Sequence, residues 1–186
     1  MKGKMKKFLK WGCIALVAII VVSAISGKGT TDQTDNLSQK AVVADTQATY
    51  AIGETFTGKN TEITITSVSE KMSVGGQYIN EEPSEGATLV AVQWKYKNTS
   101  DKPLNSFNFP TLKLIDSKNV EYSSDLGKTS AFVTEIKLDR KILSDLNPGI
   151  TVNDAQIFEV SKEAYSQGSW KVKVNAEGDS FIINIQ

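Results

Sequence analysis

Glu81, Glu82 and Glu85 crowd one short stretch beside Pro83 and Gly86. Two carboxylates can run glycoside hydrolysis as acid and nucleophile, and clustered oxygens can hold Ca²⁺. Glu81 and Glu82 are adjacent, however, and no spaced Asp ligand loop accompanies them, so a solvated acidic loop is the plainer reading. Other chemistry is restricted by composition. The chain has no histidine, and its single cysteine, Cys13, lies in an apolar run near the N-terminus. A Ser-His-Asp or Cys-His nucleophile system needs an imidazole to take the proton, and zinc sites are built mainly from His and Cys. An intramolecular disulfide needs a second cysteine. No catalytic residue, metal ligand or cofactor site is therefore expected.

Binding needs less machinery. Met72-Ser73-Val74-Gly75-Gly76-Gln77-Tyr78-Ile79 combines glycines with apolar and aromatic side chains. It lies in the Ser69–Gly86 connection between two strong strand patterns. Connections of about 20 residues are uncommon in compact domains and are often functional. Met72, Val74, Tyr78 and Ile79 are accordingly the candidate partner-binding residues, with a plain hairpin extension as the competing reading. Trp94, Tyr96, Phe158 and Trp170 are of the type that line carbohydrate or peptide sites when exposed. Here they share a face with Val90, Val92, Val172 and Val174, which assigns them to a core. Lys95, Lys97 and Lys102 read as a wetted strand face rather than a site for an anionic polymer. Asn98-Thr99-Ser100 matches a glycosylation acceptor pattern but reads as a turn.

Strands must position these residues. Ile63 to Thr66 alternates and is β-branched throughout, and Leu89 to Asn98 places Val90, Val92, Trp94 and Tyr96 on one face. The other face carries Ala91, Gln93, Lys95 and Lys97, so one side is expected dry and one wet. Leu112 to Leu114 and Val120 to Tyr122 flank the turn-rich Asp116 to Asn119 and predict a hairpin. Gln156 to Val160 follows Asn147-Pro148-Gly149. Trp170 to Val174 and Phe181 to Ile185 close the chain around Glu177-Gly178-Asp179. The expected fold is all-β, an antiparallel sandwich of about seven strands. Residues 132–146 remain open between strand-and-loop and a short amphipathic helix with Phe132, Ile136, Ile142 and Leu146 as apolar positions. Ser161 is positioned to cap one helical turn through Tyr165.

The N-terminus has its own logic. Lys2, Lys4, Lys6, Lys7, Lys10 and Lys28 sit among the first 28 residues without an acid, leaving 15 basic against 21 acidic side chains beyond, a net of −6. That balance argues against nucleic acid, whose affinity depends on neutralising phosphates. Residues 1–10 read as a basic cytoplasmic segment. Residues 11–27 are uncharged, with Ile14 to Val22 continuously aliphatic, and form one N-terminal transmembrane or signal helix. Retention as an anchor is expected; removal after Ala24 is the alternative. The lysines keep the N-terminus inside and direct the rest outward. Residues 28–49 are a flexible polar linker, and residues 50–186 the extracytoplasmic domain.

Several stretches together resemble the telokin-like, immunoglobulin-like domains of unknown function found on bacterial surface proteins and lipoproteins. They are Ile52-Gly53-Glu54-Thr55-Phe56, Leu89 to Trp94 running into Lys97 to Pro103, Leu112 to Tyr122, and Leu146-Asn147-Pro148-Gly149 leading to Ile157 to Val160. The resemblance implies an immunoglobulin-like β-sandwich and a surface location, and brings no catalytic residues. Cys13 stands near the start of the apolar run, ahead of the aliphatic Ile14 to Val22 instead of behind it, unlike a lipoprotein cysteine. The functional expectation is a membrane-anchored interaction module without catalysis, its partners the membrane and an envelope or extracellular protein. A carboxylate-dependent hydrolase of cell-wall polysaccharide and a structural envelope component are the alternatives.

Overall fold

The computed structural model describes residues 48–140 and 144–186. The expected anchor, nearly all of the expected linker and Ile142 lie outside the described residues. Among the described residues no helix is long and apolar enough to cross a membrane.

Alternating strands build a β-sandwich. One sheet joins β2 (Thr55–Thr57), β3 (Thr61–Lys71), β6 (Ala87–Asn98) and β9 (Thr151–Ser161), in that order. The other joins β1 (Thr49–Tyr50), β11 (Asp179–Asn184), β10 (Lys171–Ala176), β7 (Thr111–Ile115) and β8 (Glu121–Tyr122). A separate hairpin pairs β4 (Val74–Gly75) with β5 (Asn80–Glu81). Two helices complete the described part, α1 (Leu126–Glu135) and α2 (Lys162–Gln167). The short β1, β2, β4, β5 and β8 lift the strand number above the expected seven. β1 runs parallel to β11 while the other pairings are antiparallel, so the sandwich departs from the purely antiparallel expectation at that edge.

The interior is the predicted one. Val90, Val92, Trp94 and Tyr96 of β6 share a buried cluster with Ile63, Ile65, Phe158 and Val160 on their own sheet and Leu114, Trp170, Val172, Val174 and Ile183 on the other. Burying each large apolar side chain contributes roughly 1.5–3 kcal/mol. β3 keeps its apolar face inward along 11 residues because a bulge between Ile65 and Ser67 resets the alternation, bringing Val68 opposite Val92.

The outer face of β6 is not uniformly wet. Leu89 and Ala91 are buried with Val74, Ala131, Phe132, Ala155 and Ile157, because α1 packs across this sheet. Only farther along does the face emerge, at Lys95. The helix α1 takes in only residues 132–135 of the open stretch 132–146, whose other described residues are turn and loop. It begins earlier, at Leu126, where Asp125 accepts a hydrogen bond from the Lys128 amide (2.9 Å) and caps the first turn. Phe132 is its buried anchor, Ile136 is half-buried beyond its end, and Leu146 bridges to Leu104. Ser161 caps α2 through the Ala164 amide (3.3 Å), and that helix receives the Trp170 indole N–H on the Ala164 carbonyl (3.2 Å).

A buried carboxylate occupies an inward strand position. Asp154 stands opposite Trp94 on the inward face of β9 and pairs with the Arg140 guanidinium. Burial pushes the neighbouring Tyr96 phenol well above its ordinary range; Asp154 adds to the rise and Arg140 opposes it.

Candidate docking surface

The long connection between β3 and β6 folds as the β4–β5 hairpin against α1. Val74 points inward and is 1% exposed, sealed by Leu89 and Phe132. This corrects its assignment as a contact residue: Val74 is the peg that seats the hairpin. The other three residues face solvent, Met72 at 70%, Tyr78 at 92% and Ile79 at 51% exposure.

The hairpin is firmly held. Gly75 adopts a φ of +122°, a conformation open essentially to glycine alone, and a Cβ there would lie 1.9 Å from the Ile79 carbonyl oxygen. The Gly76 amide closes the turn onto that same carbonyl (2.7 Å). Glu135, the last residue of α1, accepts the Gly75 amide through Oε2 (2.9 Å) and meets Lys71 Nζ through Oε1 (3.7 Å). Lys71 also lies 5.4 Å from the centroid of the Phe132 ring. Behind the hairpin, Glu159 accepts the Ser84 amide (2.6 Å) and pairs with Lys128 Nζ (2.8 Å). The Lys128 ammonium, helped by Ser84, pulls the Glu159 carboxyl down to about 2.

Between hairpin and helix runs a groove of about 410 Å³, its walls largely carbon, lined among others by Gly76, Tyr78, Ile79, Ala131, Thr134 and Lys137. A groove of this make-up can seat an apolar side chain, with Tyr78 as an aromatic wall.

The remaining sequence candidates separate from this surface. Trp94, Tyr96, Phe158 and Trp170 are all buried. Glu81 pairs opposite Val74 in the hairpin, Glu82 accepts the Asn80 amide group (3.2 Å), and Glu85 is exposed. Among the described residues no group of three His, Cys, Asp or Glu side chains is placed to hold a metal ion. Asn98 is buried: its Nδ2 donates to the carbonyls of Lys102 and Leu146 (both 2.7 Å), and its Oδ1 accepts the Ser100 amide (2.9 Å). It is a loop clamp, with no accessible nitrogen for a glycan. One exposed aromatic escaped the sequence reading altogether, Phe107, on a single 3₁₀ turn, Ser106–Asn108. Its signal was the polar frame Asn105-Ser106 and Asn108, which leaves the ring without apolar neighbours in sequence.

Residues 50–175, well over half of the chain, match the family described as Domain of unknown function (DUF4352). The chain belongs to the DUF4352 family. A similar relative is a Bacillus subtilis (strain 168) protein described as "Uncharacterized protein YxkC". It is 49% identical over 131 residues, which cover 70% of this chain and 73% of that protein. A crystal structure of a conserved hypothetical protein from Bacillus anthracis superposes with a TM-score of 0.67 at 25% identity, over 74% of this chain and 95% of that one. An uncharacterized β-sandwich protein from Clostridium difficile 630 superposes with a TM-score of 0.54 at 19% identity, over 75% and 96% of the two chains. The last likeness is one of fold, and it agrees with the DUF4352 sandwich described above.

Proposed function

We propose that this DUF4352 chain is a membrane-anchored, extracytoplasmic interaction module, an immunoglobulin-like sandwich of telokin-like type that works by binding rather than turnover. It needs no metal or cofactor. The observation that carries the proposal is the exposed Tyr78 and Ile79 lining an apolar groove on a braced hairpin, with Met72 exposed on the same connection. Large exposed apolar side chains on a braced element mark interaction surfaces. The lysine-flanked apolar residues 11–27 support the anchor, and the charge asymmetry across them supports the outward orientation.

Charge narrows the partner. Residues 70–86 carry four carboxylates and one ammonium, and that ammonium, Lys71, is engaged by Glu135; the groove itself is lined by one charge of each sign, Glu135 and Lys137, so the negative balance comes from the hairpin around it. The occupant of the groove is an envelope protein segment with an apolar anchor side chain flanked by lysine or arginine.

The test uses the full chain and two fluorescein-labelled synthetic peptides, one with leucines flanked by lysines, the other by glutamates. The lysine peptide should bind saturably, more weakly as salt rises, and should lose about tenfold in affinity, about 1.4 kcal/mol, when Tyr78 and Ile79 become Ser. Equal binding of both peptides, or indifference to the double substitution, would refute the surface. Separately, external protease should remove the domain from protoplasts, and protection would refute the orientation.

A further inference from the structure

The end of the sandwich remote from the hairpin carries a second, chemically different cleft of about 560 Å³. The hairpin adjoins Leu89 near the start of β6, whereas this cleft forms beyond Asn98 at its end, where the Thr99 amide donates to the Asn60 carbonyl (2.8 Å). Three connections build it. The β2–β3 turn supplies Lys59 and Asn60, the 3₁₀ turn supplies Phe107 and Asn108, and the β10–β11 turn supplies Glu177. Thr111 at the start of β7 completes the wall.

Phe107 is 95% exposed, yet its backbone is closely tied. Asn105 Oδ1 accepts the Phe107 amide (3.0 Å), Asn105 Nδ2 donates to Asp145 (3.2 Å), and the Asn108 amide returns to the Asn105 carbonyl (2.9 Å). The ring is thus held in water by the turn, forgoing roughly 1.5–3 kcal/mol that burial offers a side chain of this size. The opposite wall is equally set. Glu177, a non-glycine residue at φ 54°, uses both carboxylate oxygens on Asn60, on its amide (2.6 Å) and its side-chain Nδ2 (3.0 Å).

We propose that this cleft binds an uncharged glycan chain, with a sugar ring lying against Phe107. An exposed aromatic ring offers a flat face to the C–H groups of a sugar. The Asn60, Asn108 and Thr111 side chains offer the mixed donors and acceptors that hydroxyl groups need. Lys59 and Glu177 contribute opposite charges, which favours a neutral ligand over a polyanion, as does the net of −6 beyond residue 28. A peptide with an apolar anchor fits less well, because polar groups make up about half of this lining beside Leu104, Phe107 and Phe109, whereas the groove beside α1 is walled almost wholly by carbon. The proposal is independent of the hairpin surface.

Calorimetric titration of the full chain with N-acetylglucosamine tetramer and with cellotetraose tests it. The apolar residues 11–27 call for a polyoxyethylene detergent, since sugar-headed detergents would compete. At least one tetrasaccharide should bind saturably. Phe107→Ala should weaken that binding about tenfold with an unchanged thermal midpoint, Phe107→Trp should retain it, and the Tyr78/Ile79 double substitution should leave it unchanged. The proposal fails if neither sugar binds at about 10 mM, beyond the weak end of specific recognition. It also fails if Phe107→Ala leaves binding intact, if the hairpin variant removes it, or if the leucine–lysine peptide displaces the sugar from the cleft.

Discussion

Replacing Gly75 with alanine should loosen the β4–β5 hairpin while sparing the sandwich. The added Cβ would meet the Ile79 carbonyl oxygen at 1.9 Å and its carbon at 2.8 Å. A carbon–oxygen contact settles near 3.3 Å, so the two hairpin arms must part by about 1.4 Å. The φ of +122° adds strain of about 1–3 kcal/mol for any residue with a side chain. Parting the arms also breaks the Gly76–Ile79 and Gly75–Glu135 hydrogen bonds, each contributing about 0.5–1.5 kcal/mol, towards the low end at this exposed position. The hairpin has a cheaper escape than global unfolding. Past Val74 it buries little, since Tyr78 and Ile79 already face water. The expected outcome is therefore a global loss held to about 2 kcal/mol in urea melts. Amide exchange at Gly76 should accelerate more than tenfold, the equivalent of about 1.4 kcal/mol of local opening. Gly76→Ala is the paired control: a Cβ there meets nothing within 4 Å, and the effect should stay within about 0.5 kcal/mol. Equal effects at the two glycines, or a silent Gly75→Ala, would refute the account of how the hairpin is held.

Two further outcomes check the sandwich itself. Trp94→Ala should cost about 3–5 kcal/mol in urea melts, because its ring is buried against Tyr96, whereas the adjacent Lys95→Ala, on the solvent side, should stay within about 0.5 kcal/mol. For Glu159, the folded carboxyl at about 2 lies below its ordinary 4.5, so its contribution is fully present above about pH 4.5 and is lost as pH falls through 2. Glu159→Gln should thus be less stable than the parent by about 1 kcal/mol near neutral pH, and thermal melts across pH 5 to 2 should show the gap closing.

The sandwich was legible where one physical demand governs a whole segment. From Leu89 to Asn98, alternation marks Val90, Val92, Trp94 and Tyr96 for the interior, and they lie there. Asp116 to Asn119 announces a turn because Asp is suited to accept backbone amides, and Asp116 Oδ1 takes those of Lys118 and Val120 (both 2.8 Å). Legibility ends where a second element changes the meaning of a face. Ala91 reads as the wet side of β6 until α1 covers it. That helix was hard to see, because Leu126-Gly127-Lys128-Thr129-Ser130 is poor in helix formers, and its stability comes from Phe132, the Asp125 cap and the Thr129 hydroxyl, which accepts the Ile157 amide (2.9 Å). Asp154 is a similar case: a carboxylate is tolerated on an inward strand position because Arg140, in the connection from α1 that leads into β9, folds back to pair with it.

The hairpin surface was legible only as a segment, and Phe107 not at all, because exposure is decided by geometry that composition does not carry. Val74 and Tyr78 stand four residues apart in the same glycine-bracketed stretch, and each is apolar enough to be core or contact. The Gly75 conformation and the Glu135 brace turn one inward and leave the other in water. Phe107 and Phe109 divide in the same way. Both are phenylalanines beside Asn108, yet Phe109 packs against Tyr96 with ring centroids 5.5 Å apart while Phe107 projects outward. The Asn105 side chain holds the single 3₁₀ turn between them, and over so short a turn residues two apart cannot share a face. A polar residue that caps a turn thus decides which of two identical rings stabilises the fold and which is left available to a ligand.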